Sequence, residues 1–232
     1  MDADIPKRKN ADLPVRLASA AVMLALLAAA LWAGGPWLDL FVGAVALATF
    51  IEFVPLILKG FAQLPARIAW LVVGAAYIAA AGYIMVGLPP VMLVIVIGTV
   101  VCVDTFAYAF GRTLGGPKIM PAVSPSKTWA GLLGGIVGAS AFLAFAIYML
   151  ARQTAGETTM GFDAGETAMI VGIGALLAVA AQAGDFLESW LKRKAGAKDS
   201  SRLIPGHGGV FDRTDGMIPV VLLAGFMLRG MA

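Results

Sequence analysis

Cysteine, histidine and charged residues are scarce in this chain of 232 residues. A single Cys excludes a disulfide framework, which needs paired cysteines. One Cys and one His together exclude a structural zinc site, which needs about four nitrogen and sulfur ligands. Only 13% of the residues are charged and 60% are hydrophobic, whereas a soluble domain has about a quarter of its residues charged. An ordinary water-soluble globule is therefore excluded, and lipid must cover most of the surface.

Long apolar runs divide the chain into candidate membrane spans, because about 20 apolar residues cross a bilayer as one helix. Seven runs qualify: 14–33, 38–58, 67–87, 90–111, 128–150, 166–184 and 216–231. The short Gly34–Trp37 linker predicts a tight hairpin of the first two spans, and Pro89-Pro90 separates the third and fourth. The sequence thus predicts an all-α, polytopic integral membrane protein with about seven transmembrane helices.

Basic residues lie almost entirely on one side of these spans. Of the 17 Lys and Arg residues, 15 fall in the N-terminal tail and start of the first span or in the loops after spans two, four and six; the exceptions are Arg152 and Arg229. Basic loops mark the cytoplasmic side, so we expect the N-terminus inside and the C-terminus outside. The net charge of +3 then reflects membrane topology, and no nucleic acid is expected as a partner.

Two regions follow from this layout. Residues 1–88 form an N-terminal region of three spans, and residues 89–232 form a catalytic region with cytoplasmic motif loops at 112–128 and 185–216. In span five, glycines recur at three- and four-residue spacing, which is typical of close helix packing. They are Gly131, Gly134, Gly135 and Gly138.

Acidic residues inside spans are functional hypotheses by default, because a charge at bilayer depth is costly. For Glu52 in span two, we favour a structural role, as a buried partner or a hydrated interfacial group. Asp104 in span four is followed by Tyr108, Gly111 and Arg112 on the same helix face. That face fits either a polar cavity open to the cytoplasm or an internal ion pair.

The segment Ser124–Trp129 runs directly into span five. Ser and Thr residues cap helix starts, where free backbone N–H groups attract anions, and Lys127 beside such an end suggests phosphate binding. An ordinary capped helix with an interfacial Trp is the alternative. Gly111–Lys118 is not a P-loop, because Pro117 precedes Lys118 and no Ser or Thr follows it.

Polar residues are densest between 182 and 216. Asp185, Ser189 and Lys192 share a helix face as span six leaves the membrane, while Lys192–Lys194 and Gly196 indicate where that helix ends. A polar loop then leads to Gly206-His207-Gly208-Gly209, a turn whose backbone N–H groups can bind phosphate.

Two carboxylates at the membrane edge, Asp185 and Asp212, are surrounded by Lys and Arg. Mg²⁺ prefers one or two carboxylates together with substrate phosphates and water, and cations with backbone amides stabilise phosphoryl transfer. A solvated loop of mutually neutralising charges is the alternative. His207 fits a general base, a phosphate donor or an ordinary loop residue.

The stretch resembles the signature of the phosphatidate cytidylyltransferase (CDP-diacylglycerol synthase) family. The matching residues are Gly184, Asp185, Ser189, Lys192, Arg193, Lys198, Asp199, Pro205, His207, Gly208, Gly209, Asp212, Arg213 and Asp215. Two further groups of residues resemble other elements of the family signature. The first is Asp104, Ala107, Tyr108, Gly111 and Arg112. The second is Ser124, Pro125, Lys127, Thr128, Trp129 and Gly131. The resemblance covers about residues 100–218; the chain is shorter than a typical member, so one or two fewer spans are expected.

The resemblance implies transfer of CMP from CTP to phosphatidic acid, giving CDP-diacylglycerol and pyrophosphate. It implies Mg²⁺ on Asp185 and Asp212, with a monovalent cation such as K⁺ beside it. The implied catalytic residues are Asp185, Asp212, Lys192, Arg193, Lys198, Asp199, His207, Arg213 and Asp215. The implied substrate- and phosphate-binding residues are Ser124, Lys127, Thr128, Asp104, Tyr108, Arg112, Ser189, Gly208 and Gly209. The resemblance also implies a multi-pass protein of the inner (plasma) membrane with a cytoplasmic active site. It is compatible with a homodimer.

Other membrane proteins remain as alternatives. A CDP-archaeol-type synthase or a CTP-dependent polyprenol kinase would use similar chemistry. A CDP-alcohol phosphotransferase does not fit, because Met217-Ile218-Pro219 follows Asp215-Gly216 where its motif has x-x-Ala-Arg. A transporter could use Asp104 and Glu52 as coupling carboxylates, but the broken, paired repeats typical of one are not found.

Overall fold

Helices make up most of the chain. The structure is a computed structural model, and it describes residues 13–155 and 161–229. The elements are α1 (Leu13–Ala33), α2 (Gly35–Gly60), α3 (Leu64–Gly87), α4 (Pro90–Thr113), β1 (Lys118–Met120), β2 (Ser124–Thr128), α5 (Trp129–Ala155), α6 (Ala164–Lys194), α7 (Phe211–Thr214) and α8 (Met217–Arg229). The helical prediction is confirmed, with one departure in the described part of the chain: an antiparallel hairpin of β1 and β2.

Six of these helices, α1 to α6, are long and apolar enough to cross a membrane, which makes this a multi-pass membrane protein. The seventh predicted span corresponds to α8, which has 13 residues. At 1.5 Å per residue it is about 20 Å long, less than the roughly 30 Å of a hydrocarbon core. The count of seven spans and the orientation of the termini therefore stay predictions, and the basic tail residues Lys7, Arg8 and Lys9 lie outside the described residues.

Helix ends follow the sequence signals closely. Gly34 alone separates α1 from α2, so the predicted helical hairpin is confirmed. Helix α4 begins at Pro90, where a missing N–H is harmless because the first turn has no acceptor for it. Helix α6 ends at Lys194, two residues before Gly196, and continues ten residues past the predicted span.

The glycines of α5 pack against α4, as their spacing predicts. A Cβ atom on Gly138 would lie 2.7 Å from the Cys102 carbonyl oxygen, and one on Gly134 would lie 2.5 Å from Cβ of Phe110. Neither position has room for a larger side chain. Close packing of this kind stabilises helix pairs in lipid, where the hydrophobic effect between helices is weak.

The longest helix, α6, packs near α2, α5 and α8 and carries the polar residues. Ala178 of α6 and Val220 and Val221 of α8 are fully buried in one apolar cluster. Gly184 lies so close to the Asp215 carbonyl that a side chain there would overlap it. This crossing brings Asp185 beside Gly216, directly before the start of α8.

Candidate active site

A first group of acidic residues surrounds Asp185. Its carboxylate forms an ion pair with Lys127 of β2, and a Cβ on Gly216 would lie 3.0 Å from its Oδ1 atom. Asp104 of α4 and Asp215 both lie within electrostatic range of Asp185. Lys127 is therefore paired with Asp185 and also feels the charges of Asp104 and Asp215.

The charges in this group affect one another. Burial, and then the Asp185 carboxylate, raise the pKa of Asp215 well above its usual value. Burial also opposes the charge on Lys127, but Asp185 outweighs it and raises the pKa of the Lys127 ammonium. A cation bound at this point would relieve the repulsion between Asp185 and Asp215.

A second group is centred on Lys192. Its Nζ atom lies 2.6 Å from Glu188 Oε2 and 2.7 Å from Asp212 Oδ1. The other oxygen of Asp212, Oδ2, accepts hydrogen bonds from the Ser200 N–H at 2.9 Å, the Ser200 hydroxyl at 2.7 Å and the Gly209 N–H at 2.8 Å. Asp212 thus fixes both ends of the loop that joins α6 to α7.

These donors determine the charge of Asp212. Burial alone would raise its pKa, but the Glu188 and Lys192 side chains, the Gly209 N–H and Ser200 hold the pKa of Asp212 below its usual value. Glu188 itself is only 2% exposed. Its Oε1 atom has no hydrogen-bond partner among the described residues, so this carboxylate retains an oxygen for a water molecule or a cation.

Glu52 of α2 binds the same loop from the opposite side. It is 6% exposed, and it accepts hydrogen bonds from the Ser201 hydroxyl at 2.6 Å, the Ser200 hydroxyl at 2.9 Å and the Phe211 N–H at 2.8 Å. A side chain on Gly209 would overlap both Glu52 and Ser200. The structural role favoured for Glu52 from the sequence agrees with these contacts, and its partner is the loop rather than a neighbouring span.

The glycine turn is a tight hairpin within this loop. The Ile204 N–H donates to the Gly208 carbonyl at 2.8 Å, and the His207 N–H donates to the Ile204 carbonyl at 3.0 Å. Gly206 and Gly208 have φ angles of 75° and 85°, which side-chain-bearing residues rarely adopt. The Arg213 guanidinium donates to the His207 carbonyl at 3.0 Å and ties the turn to α7.

A polar cleft of about 740 Å³ opens beside this turn. Its ionisable lining residues are Arg16, Lys198, Asp199, Arg202, His207 and Arg213. Four cations face one carboxylate, so the cleft favours an anionic ligand. Predicted residues Lys198, Asp199, His207, Gly208 and Arg213 come together here.

The residues predicted on α4 are arranged differently. Tyr108 is 64% exposed, and its hydroxyl oxygen accepts a hydrogen bond from Arg112. Within residues 13–155 and 161–229, Asp104 forms no ion pair with Arg112 or any other residue. The charges of Lys127 and Arg213 still act on Asp104 electrostatically, so both interpretations of this face stay predictions.

The segment before α5 is a β-strand that ends at Thr128, and the helix begins only at Trp129. The Thr128 hydroxyl accepts a hydrogen bond from the Gly131 N–H at 3.0 Å, so Thr128 caps α5 as predicted. Ser124 and Lys127 instead lie in β2. Arg193 donates to the Val123 carbonyl at 3.5 Å, while no hydrogen bond of Ser189 is found among the described residues.

Sequence reasoning assigned no site role to several residues that the structure places here: Arg16, Ser19, Glu188, Ser200, Ser201 and Arg202. Glu188 lies four residues before Lys192, a spacing that allows an ion pair on a helix, so its position carried a usable signal. The Ser200-Ser201 pair follows the matched Asp199, but its partner Glu52 lies some 150 residues away in the chain. Nothing in the sequence of α1 marks Ser19.

Comparisons with known proteins agree on one family. Residues 87–231 match the model of the cytidylyltransferase family. Proteins named phosphatidate cytidylyltransferase are 44% identical over 120 residues in Brucella abortus biovar 1 (strain 9-941), 39% over 118 in Haemophilus influenzae and 39% over 116 in Rickettsia felis. The alignments cover 52%, 51% and 50% of this chain and 40%, 38% and 49% of those proteins. The matched part therefore spans half or less of the length of these relatives.

Proposed function

The chain belongs to the cytidylyltransferase family, and we propose that it transfers the cytidylyl group of CTP to phosphatidic acid, giving CDP-diacylglycerol and pyrophosphate. The observation that carries this proposal is the cationic cleft around the Gly206–Gly209 turn, in a protein with six membrane-length helices. The cations of the cleft suit the phosphates of a nucleoside triphosphate, and the membrane-length helices suit a lipid co-substrate. The names of the relatives support the same activity.

The reaction needs positioning more than proton transfer. An anionic phosphate oxygen of phosphatidic acid forms a bond to the α-phosphorus of CTP, and the bond from that phosphorus to the pyrophosphate oxygen breaks. Because the nucleophile is already an anion, no strong general base is required. Lys198, Arg202 and Arg213 bind the phosphates and neutralise the charge that develops on pyrophosphate.

Asp185 and Asp212 remain our proposed ligands for Mg²⁺, with K⁺ beside it. No three of the described His, Cys, Asp and Glu side chains form a ready metal site, but Mg²⁺ commonly takes only one or two carboxylates together with substrate phosphates. The donor set fits, because Asp104 and Asp215 lie within electrostatic range of Asp185, and Glu188, which shares Lys192 with Asp212, retains an oxygen without a hydrogen-bond partner among the described residues. When bound, the metal would withdraw charge from the substrate phosphates.

We place this site at the cytoplasmic face of the inner membrane, where CTP is available and where the basic loops are expected. Lys127 and Lys192 then have a role before substrate arrives. Each one neutralises a carboxylate, Asp185 or Asp212, that would otherwise repel its neighbours.

The direct test uses the full chain, purified and reconstituted in lipid nanodiscs with CTP and Mg²⁺. Phosphatidic acid should give pyrophosphate and CDP-diacylglycerol in equal amounts. Parallel reactions with diacylglycerol or a polyprenol distinguish the kinase alternative, which would phosphorylate those alcohols and release CDP. If none of the three lipids supports nucleotide turnover, the proposal is contradicted and a transporter is favoured.

A further inference from the structure

The first helix, α1, lies outside the matched segment 87–231 and yet contacts the glycine turn. The Ser19 hydroxyl lies 2.9 Å from the Pro205 carbonyl oxygen and 2.8 Å from His207 Nδ1. A Cβ on Gly206 would lie 2.7 Å from Cγ of Arg16. Two separate observations therefore place the start of α1 directly on the turn.

This contact is unusual for α1. Ala30 is its one buried residue among those described, so the helix is otherwise loosely packed. Arg16 and Ser19 are on its polar, loop-facing start, one turn apart. The contact with the turn is thus a specific feature of this end and does not result from general packing.

The hydrogen bonds of Ser19 favour a proton on Nδ1 of the His207 ring. Both Arg16 and Pro205 offer Ser19 a carbonyl oxygen, which can only accept. The hydroxyl has one proton to donate, so a hydrogen bond with His207 is satisfied when Nδ1–H of the ring donates to Ser19 Oγ. Nε2 is then the ring atom available to a ligand in the cleft.

Arg16 adds a cation to the same cleft. Its side chain is exposed and forms no ion pair within the described parts of the chain, so its charge is available. The other cleft cations, Lys198, Arg202 and Arg213, come from the α6–α7 loop and α7. Arg16 is the lining cation contributed by a separate helix.

We propose that α1 completes the nucleotide site: Arg16 binds a phosphate group of CTP, and Ser19 is a positioning residue that orients the His207 ring. This inference rests on the proposed function, because it takes CTP as the ligand. It adds that residues far outside the matched segment contribute to nucleotide affinity.

The first experiment measures CTP binding by isothermal titration calorimetry, using the full chain in nanodiscs with Mg²⁺ and without phosphatidic acid. Arg16→Met keeps the aliphatic stem that packs on Gly206 and removes the charge. We expect its Kd for CTP to rise about 10-fold, since hydrogen bonds to charged groups are strong, and Arg16→Lys to recover part of the loss. Arg152→Met, in the last turn of α5 and outside the cleft, is the matched control and should bind CTP like the wild type.

The second experiment observes His207 by nitrogen-15 NMR, which is unambiguous because the chain has one histidine. At pH 8, the wild-type ring should carry its proton on Nδ1. Ser19→Ala should shift the population toward the Nε2–H tautomer, whereas Ser140→Ala, which removes a hydroxyl from α5, should not.

The outcomes separate the two proposals. Wild-type CTP affinity in Arg16→Met, together with a lost affinity in Arg213→Ala, would overturn the role of α1 and leave the proposed function intact. An Nε2–H tautomer in the wild-type protein would overturn the positioning role of Ser19. If wild-type protein binds no CTP at all, the proposed function and this inference both fail.

Discussion

The Ser200 hydroxyl lies between two carboxylates, 2.9 Å from Glu52 Oε2 and 2.7 Å from Asp212 Oδ2. Because it has one proton, it donates to one of them at a time. Glu52 on α2 and Asp212 on α7 are thereby linked through a shared donor. At the scale of single residues, a buried acid in the N-terminal half controls the position of the loop that carries the proposed chemistry.

Glu52→Gln tests this link. The amide group must place an N–H where the carboxylate accepts hydrogen bonds from Ser200, Ser201 and Phe211. We expect the free energy of unfolding to fall by about 1–3 kcal/mol, the usual effect of an unsatisfied buried group, and turnover to fall with it. Thermal unfolding and pyrophosphate release measure the two effects. Asp39→Asn, an exposed acid on the same helix, is the control, and equal behaviour of the two variants would contradict the prediction.

Asp212→Asn separates chemistry from folding. Turnover should fall by at least about 100-fold, the scale reported for loss of one preorganised electrostatic group, because the variant loses a proposed metal ligand and the partner of Lys192. The helices should remain intact, since apolar packing holds them. Circular dichroism and pyrophosphate release provide the comparison, and near-normal turnover by a folded variant would refute the assignment.

At the scale of elements, the crossing of α6 and α8 sets the distance between the acidic groups. Gly184 contacts the Asp215 carbonyl so closely that no side chain fits, and Gly216 leaves little space beside Asp185. The absence of two side chains therefore brings Asp185 and Asp215 together. Their mutual repulsion is the electrostatic consequence of that packing.

Two glycine substitutions on α6 should have opposite effects. In Gly184→Ala, the added methyl group overlaps backbone, so we expect a loss of about 1–3 kcal/mol in stability. Gly172→Ala meets nothing within 4 Å, and alanine favours a helix by up to about 1 kcal/mol over glycine. Thermal unfolding of the two variants in nanodiscs should shift in opposite directions; an unchanged midpoint in Gly184→Ala would show that α6 and α8 can separate without loss.

Sequence patterns predicted most of these elements because the signals are local. Apolar length defined the six long helices, and Lys192–Lys194 with Gly196 predicted the end of α6. The β1–β2 hairpin was missed, because its register pairs Lys118 with Thr128 across a turn that no hydrophobic pattern marks. The partners of Glu52 and of Ser19 were also out of reach, since hydrogen bonds between distant segments depend on a fold that one sequence does not reveal.

At the scale of the whole molecule, the site residues gather at one end of the helical bundle. The hairpin, the α6–α7 loop and the start of α1 all contribute to it, while residues 161–163, which directly precede α6, lie at the other end. Helix α5, which has 27 residues and is therefore about 40 Å long, separates these two ends. The basic loops and the proposed active site should therefore lie on one side of the membrane.

Cysteine labelling tests this arrangement. In a Cys102→Ala background, Ala122→Cys introduces a thiol into the hairpin and Phe162→Cys introduces one at the opposite end; both positions are exposed. A membrane-impermeant maleimide added to intact cells should label Phe162→Cys alone, and inside-out vesicles should show the reverse. Labelling of both positions from the same side would contradict the predicted topology.

Helix α6 has 31 residues and is thus about 46 Å long, well beyond the roughly 30 Å hydrocarbon core. Asp185, Glu188 and Lys192 occupy successive turns of this single rod, so helical rise separates them along its axis by about 4.5 Å and 6 Å. Those intervals are set by the helix and do not depend on the conformation of the neighbouring loop. We therefore expect the axial spacing of these three charges to stay the same whether or not a ligand occupies the cleft.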